Sequence, residues 1–438
     1  MDLLIGFIVF IGAMVWCIIM GYTMVIALFI GLIAFTIVGK RKGFAFSEIA
    51  KMGADGLKDA LIVIEIMFII GFITAVWRSA GTISFFVYYG IKMITPGIFL
   101  IITFALCCLL SYALGTSFGV AGTVGVIFIA LARAGGVDEF LTAGAVMSGI
   151  YFGDRGSPVS SSAILVATIT ETELLANVKR MAKTAWMPLV LTLGIYSVLS
   201  FTNPIQTVDQ SFLHNLESEF SLSIWAVVPA LCMLVLPLLK VPVIYAMLVS
   251  IASGSVVSLF CEDMSLQTLL HTLIFGYTGE GGLGKILDGG GMLSMIEIVC
   301  IVSLSSTYSG IFTGTDMLGV LQEKILFVAK KIGRFPTMVL ISYGFLGIFC
   351  NQTIASMMCC DFLKKPYEAL SATKEELAID LENSVILLAG TVPWAIACTV
   401  PLGFMQVGIG AITFSFYLYL VPICYGIQKK VSNPFTKE

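Results

Sequence analysis

Gly153-Asp154-Arg155-Gly156-Ser157-Pro158-Val159-Ser160-Ser161-Ser162 stands between two apolar half-segments, at 139–152 and 160–170. The block carries one charge of each sign, a proline and four serines. Pro158 lacks a backbone donor and interrupts any helix that runs through it. Neither flank is long enough to cross a bilayer alone, which takes about 20 mostly apolar residues. Short apolar pieces around a polar break predict a broken helix or a re-entrant hairpin at membrane depth. At such a depth Asp154 could bind a cation or carry a proton. Arg155 could pair with Asp154 or hold a substrate carboxylate. The other reading of the block is a loop at the membrane face, where charges cost little.

The rest of the chain supports the membrane. Of 438 residues, 58% are hydrophobic and 12% charged, against roughly 45–50% and 25% in soluble globular chains. Mean hydropathy is +1.01. The net charge of −3 gives no nucleic-acid footprint. Eleven cysteines lie mostly inside apolar runs, no C-x-x-C pair occurs, and His214 and His271 are isolated. No resident metal, cofactor or disulfide framework is therefore expected. The start is apolar from Leu3 with no basic stretch before it, so it reads as a retained membrane helix rather than a signal peptide.

Apolar spans recur along the chain, several of them short or broken by glycine, and ten to thirteen membrane segments are expected. Basic clusters at Lys40-Arg41-Lys42, Lys179-Arg180, Lys330-Lys331 and Lys429-Lys430 contrast with the segments 203–220 and 261–290. Those two hold only Lys285 against Asp209, Glu217, Glu219, Glu262, Asp263, Glu280 and Asp288. The positive-inside rule puts the basic clusters, and both termini, in the cytoplasm of an inner or plasma membrane. The chain also repeats itself: V-I-E-I-M-F-I at 63–69 matches M-I-E-I-V-C-I at 295–301, aligning Glu65 with Glu297. Opposite starting sides make this an inverted repeat. The chain then divides into an N-terminal hairpin with a cytoplasmic segment (1–58), a first repeat (59–202), connecting helices (203–291) and a second repeat with the C-terminal helix (292–438).

Three further polar blocks sit at membrane depth, where such residues are costly and by default functional. Gly115-Thr116-Ser117-Phe118-Gly119 can leave the helix and present carbonyl and hydroxyl oxygens to a hard cation; close packing through small residues is the alternative. Asn351-Gln352-Thr353 occupies the same place in the second half, and its amides donate and accept. Glu382-Asn383-Ser384 reads as the second-half counterpart of the Asp154 block, or as the end of a solvated loop. Glu65 and Glu297 are candidate proton carriers, Arg78 joins Arg155 as a candidate anion site, and Asp316 is a further ionisable group near a span.

At these blocks the sequence resembles the NhaC-type sodium/proton antiporter family, within the wider ion-transporter superfamily. Ser79-Ala80-Gly81-Thr82, Gly115-Thr116-Ser117, Gly153-Asp154 with Ser157-Pro158, Gln352, Glu382 with Ser384, and Pro393-Trp394 carry the resemblance over roughly residues 60–425. It implies inverted repeats, broken helices meeting at the midplane and a homodimer. Read from the polar blocks, Asp154, Gly115, Thr116, Ser117, Ser157, Ser160, Ser161, Asn351, Gln352, Thr353, Glu382 and Asn383 are expected to surround the site. Three acidic positions of the family pattern are neutral here, at Ser161, Asn351 and Asn383. Opposed charges about 4 Å apart interact by about 4 kcal/mol at an effective dielectric near 20, so a site for a bare cation loses by such changes and a site for a carboxylate-bearing solute gains. The expected protein is an ion-coupled secondary transporter in membrane lipid, exchanging Na+ against H+. The alternative cargo is an amino acid or small carboxylate moved with either coupling ion. A channel is the reading from another class; no ATP-binding motif or enzyme constellation is visible.

Overall fold

The computed structural model describes residues 2–93, 95–205, 210–279, 287–315 and 322–432. Asp209, Glu280, Lys285 and Asp316 lie outside these ranges. Apart from one isolated bridge between Tyr277 and Gly289, all regular structure among the described residues is helical. An all-helical chain is what lipid demands, because each backbone donor finds its acceptor within its own segment.

A hairpin of α1 (Asp2–Met20) and α2 (Met24–Arg41) opens the chain and leads to the half-polar α3 (Phe46–Asp59). The first half then runs α4 (Leu61–Ser79), α5 (Thr82–Met93), α6 (Phe99–Leu114), α7 (Ser117–Val120), α8 (Val126–Ala134), α9 (Glu139–Gly156), α10 (Ser161–Ile169) and α11 (Leu174–Thr202). Connecting helices follow: α12 (Gln210–Glu219), α13 (Val228–Leu238), α14 (Val243–Phe260) and α15 (Leu266–Phe275). The second half holds α16 (Ile296–Thr315), α17 (Gln322–Ile332), α18 (Arg334–Phe349), α19 (Gln352–Ala369), α20 (Lys374–Glu382), α21 (Val385–Leu388), α22 (Ile396–Met405) and α23 (Phe416–Ser432). Among the described residues, six helices are long and apolar enough to cross a membrane. A pair bent by 49° adds a seventh, and five shorter apolar helices accompany them. These elements make an integral, multi-pass membrane protein with discontinuous helices.

Small residues set how closely the helices approach, as expected where lipid removes any hydrophobic drive between them. A Cβ on Gly153 of α9 would lie 2.0 Å from the Ser111 carbonyl carbon of α6. One on Gly56 of α3 would lie 2.3 Å from the Ser306 oxygen of α16.

The two halves repeat residue for residue. Helix α6 ends on Gly115 at φ +65°, with Thr116 extended before α7; α18 ends on Cys350 at φ +56°, with Asn351 extended before α19. Asp138 caps α9 and Thr373 caps α20. Ser157 and Val392 are extended at the next breaks, each followed by proline, and Ser160 and Ala395 precede α10 and α22. Every pair keeps one constant separation along the chain. Helices α4 and α16 start in that same register, with Leu61 and Ile296. The register differs from the one read in sequence: Glu65 falls opposite Cys300, and Glu297 opposite Ile62. Likewise Ala389, not Glu382, stands opposite Asp154.

Candidate functional site

In each half the two breaks lie against one another. In the first, a Cβ on Gly115 would meet the Val159 carbonyl carbon at 2.6 Å and the Ser160 nitrogen at 2.8 Å. Only glycine lets the α6–α7 break rest on the α9–α10 break, and its positive φ suits glycine too. In the second half, the Ile396 amide donates to the Cys350 carbonyl at 2.8 Å, so the α18–α19 break rests on the start of α22. The halves then meet through side chains. Tyr151 of α9 donates its hydroxyl to the Ala397 carbonyl of α22 at 2.6 Å.

Asp154, in the last turn of α9, is 4% exposed and lies where the two crossings meet. Its carboxylate accepts from Ser162 Oγ at 3.2 Å through each oxygen, and from Gln352 Nε2 at 3.1 Å. The Gln352 amide also donates to the Ile386 carbonyl at 3.2 Å. A buried carboxylate is thus held by neutral donors from both halves, and among the described residues no Lys or Arg forms an ion pair with it. The Asp154 oxygens and Ser162 Oγ are hard oxygen donors of the kind that suit a hard cation.

Arg155 is fully buried and turns away from Asp154. Its guanidinium donates to the Tyr417 hydroxyl (3.0 Å), the Met181 carbonyl (3.2 Å) and Thr184 Oγ1 (2.6 Å). Beside it lies a group of unmatched polar atoms. Both carboxyl oxygens of Glu382, Asn383 Nδ2 and Arg155 Nε are buried without a hydrogen-bond partner. The charges that Glu382 feels are those of Arg155 and Asp154. Buried polar groups are almost always satisfied, so the unmatched Glu382 carboxyl is an exception among the described residues.

The other sequence candidates divide by place. Ser160 caps α10 and donates to the Asp154 carbonyl. Ser157 donates to the Tyr112 carbonyl at 2.6 Å, Thr116 caps Gly119 N at 3.3 Å, and Asn351 caps Thr353 N and Ile354 N at 2.9 and 3.2 Å. These four shape the breaks. Ser117 is buried at the start of α7. Ser161 and Thr353 are exposed. Glu65 and Glu297 are exposed as well, and Glu297 accepts from Thr23 Oγ1. Arg78 is buried elsewhere, donating to the Thr74 carbonyl at 2.7 Å and Gln406 Oε1 at 3.4 Å. Sequence reasoning passed over Ser162, Thr184 and Tyr417. Ser162 was within reach, since Ser160 as a helix cap turns Ser162 rather than Ser161 toward Asp154.

Fold and site together define a polytopic secondary transporter with one buried carboxylate where two pairs of broken helices cross. The chain belongs to the Na+/H+ antiporter family, whose model matches residues 3–169 and 149–427. Curated relatives are similar over most of their length. The malate-2H+/Na+-lactate antiporter of Bacillus subtilis (strain 168) is 26% identical over 92% of this chain and 87% of its own. The Na+/H+ antiporter NhaC of Alkalihalophilus pseudofirmus is 25% identical over 91% and 88%. The arginine/ornithine antiporter ArcD of Halobacterium salinarum is 26% identical over 69% and 64%.

Proposed function

We propose that this chain is a secondary active antiporter that exchanges Na+ against protons by alternating access, with Asp154 as the group that takes either ion in turn. The observation that carries this reading is the buried Asp154 carboxylate held by the neutral Ser162 and Gln352 from opposite halves. Its negative charge calls for one positive charge at a time, Na+ or H+, because an uncompensated charge is costly away from water. Glu382 is a second ionisable group on the same path. The coupling ions are cargo, no resident cofactor is assigned, and no enzymatic step is required. The positive-inside rule supports cytoplasmic termini, and a homodimer is the expected assembly.

A second reading is exchange of a small carboxylate or amino acid. It is favoured by the neutral Ser161, Asn351 and Asn383, by the buried Arg155, and by relatives whose names describe organic exchange. Proteoliposomes with an internal pH probe separate the two. A sodium gradient alone is expected to move protons. A response that requires an added carboxylate or amino acid would establish the organic exchanger instead.

A further inference from the structure

Where α17 turns into α18, Lys330, Lys331, Arg334 and Lys429 line a cleft of about 580 Å³. Gly333, at φ +95°, makes the turn. Two of these cations are committed to carboxylates. Arg334 donates to Glu376 at 3.2 Å, and Lys429 donates to the buried Asp380 at 2.6 Å. Lys330 and Lys331 have no acidic partner among the described residues, so the cleft keeps a net positive charge.

The same two helices wall a second cleft of about 640 Å³. Its lining neighbours that of the first along both helices, with Val328 next to Ala329 and Thr337 next to Pro336. Its lining is apolar, from Ile325 and Val328 of α17, Leu340 of α18, Phe7 and Phe10 of α1, and Trp394 beside the second-half break. A positive compartment beside an apolar one fits one class of molecule. A soluble anion has no use for the apolar part, and a zwitterionic lipid has little use for unpaired lysines. Basic pockets between membrane helices at the interface are suited to anionic head groups.

We propose that this composite cleft binds one anionic phospholipid, its phosphate against Lys330 and Lys331 and an acyl chain along α18 toward Trp394. The site is separate from the ion crossing but is tied to it. Asp380, which holds Lys429 and also accepts from Tyr367 and Tyr425 at 2.7 Å each, shares helix α20 with Glu382.

The test uses the full chain in detergent, with thermal unfolding followed while phosphatidylglycerol, phosphatidylcholine or inorganic phosphate is titrated in. A ligand of the native state raises the melting temperature with its concentration. Phosphatidylglycerol is expected to stabilise the protein, and the other two to have little effect. Lys330→Gln with Lys331→Gln should weaken the phosphatidylglycerol response on the order of tenfold or more, with the lipid-free melting temperature unchanged. Leu340→Trp, which fills the apolar part and leaves the lysines in place, should weaken it independently. Equal stabilisation by phosphatidylcholine would overturn the proposal, as would reproduction of the effect by phosphate alone. An undiminished phosphatidylglycerol response in both variants would do the same.

Discussion

The two crossings share a backbone and differ in chemistry. Gly115 and Cys350 make the same left-handed turn, Thr116 and Asn351 the same cap, and Ser157-Pro158 and Val392-Pro393 the same extended break. The charged pair Asp154-Arg155 of the first half faces Ala389-Gly390 in the second. Glu382 of the second faces Met147 in the first. Distortions are also unshared. The first half carries a π turn at Ala121–Gly125 where α19 runs unbroken. The second interrupts its long helix just after Glu382, where α9 is continuous. Irregular helical turns are frequent at functional sites. The repeat therefore supplies a symmetric frame in which backbones can cross, and the ionisable groups Asp154 and Glu382 stand at different places within it.

The comparison can be broken at the turns. Gly115→Ala should destabilise the protein by roughly 3 kcal/mol or more, because its Cβ strikes backbone at a positive φ. Cys350→Gly should cost no more than about 1 kcal/mol, since relief of the left-handed turn offsets the lost contact with the Tyr308 hydroxyl. Melting temperatures of the two variants check the pair; equal losses would mean that the turns are not equivalent. Gln352→Leu removes the bridge from the second half to the Asp154 carboxylate. Half-saturation by sodium should rise about tenfold, the scale of one lost charge-assisted hydrogen bond, and transport kinetics in proteoliposomes read it.

The smallest effect lies on the surface. Glu171 joins the halves through Lys374 and Lys364. Lys374, by hydrogen bond and charge, and Lys364 hold its carboxyl below the ordinary value of 4.5. A carboxyl depressed on folding stabilises above its ordinary range and loses that contribution as pH falls through the folded value. Wild type should melt slightly above Glu171→Gln at pH 7, and the difference should shrink as pH falls below 4.5. Exposed pairs contribute little, and a gap that persists in acid would assign the effect to packing.

Much of this was legible in the sequence. The block at 153–162, the turn at Gly115 and the Gln352 segment announce themselves because polar residues and prolines are conspicuous against apolar helices. The register of the repeat was less legible. Leu, Ile and Val satisfy a membrane helix almost interchangeably, so the match between Glu65 and Glu297 carried little positional information, and the true register emerged only from the caps and turns. Which serine faces Asp154 depends on where α10 begins, and Ser160 sets that start through its bonds to Ser162 N and Ala163 N. The partners of Arg155 come from Met181, Thr184 and Tyr417, far along the chain and without a local signature.

Asp154 is the proposed exchanging group. The decisive measurement is sodium-driven proton flux in proteoliposomes for wild type, Asp154→Asn and Asp154→Glu, with insertion verified for each. Flux at the protein-free background is expected for Asn, which keeps the shape but cannot exchange a charge, and measurable coupled flux with shifted sodium dependence for Glu. Wild-type exchange in Asp154→Asn would contradict that role.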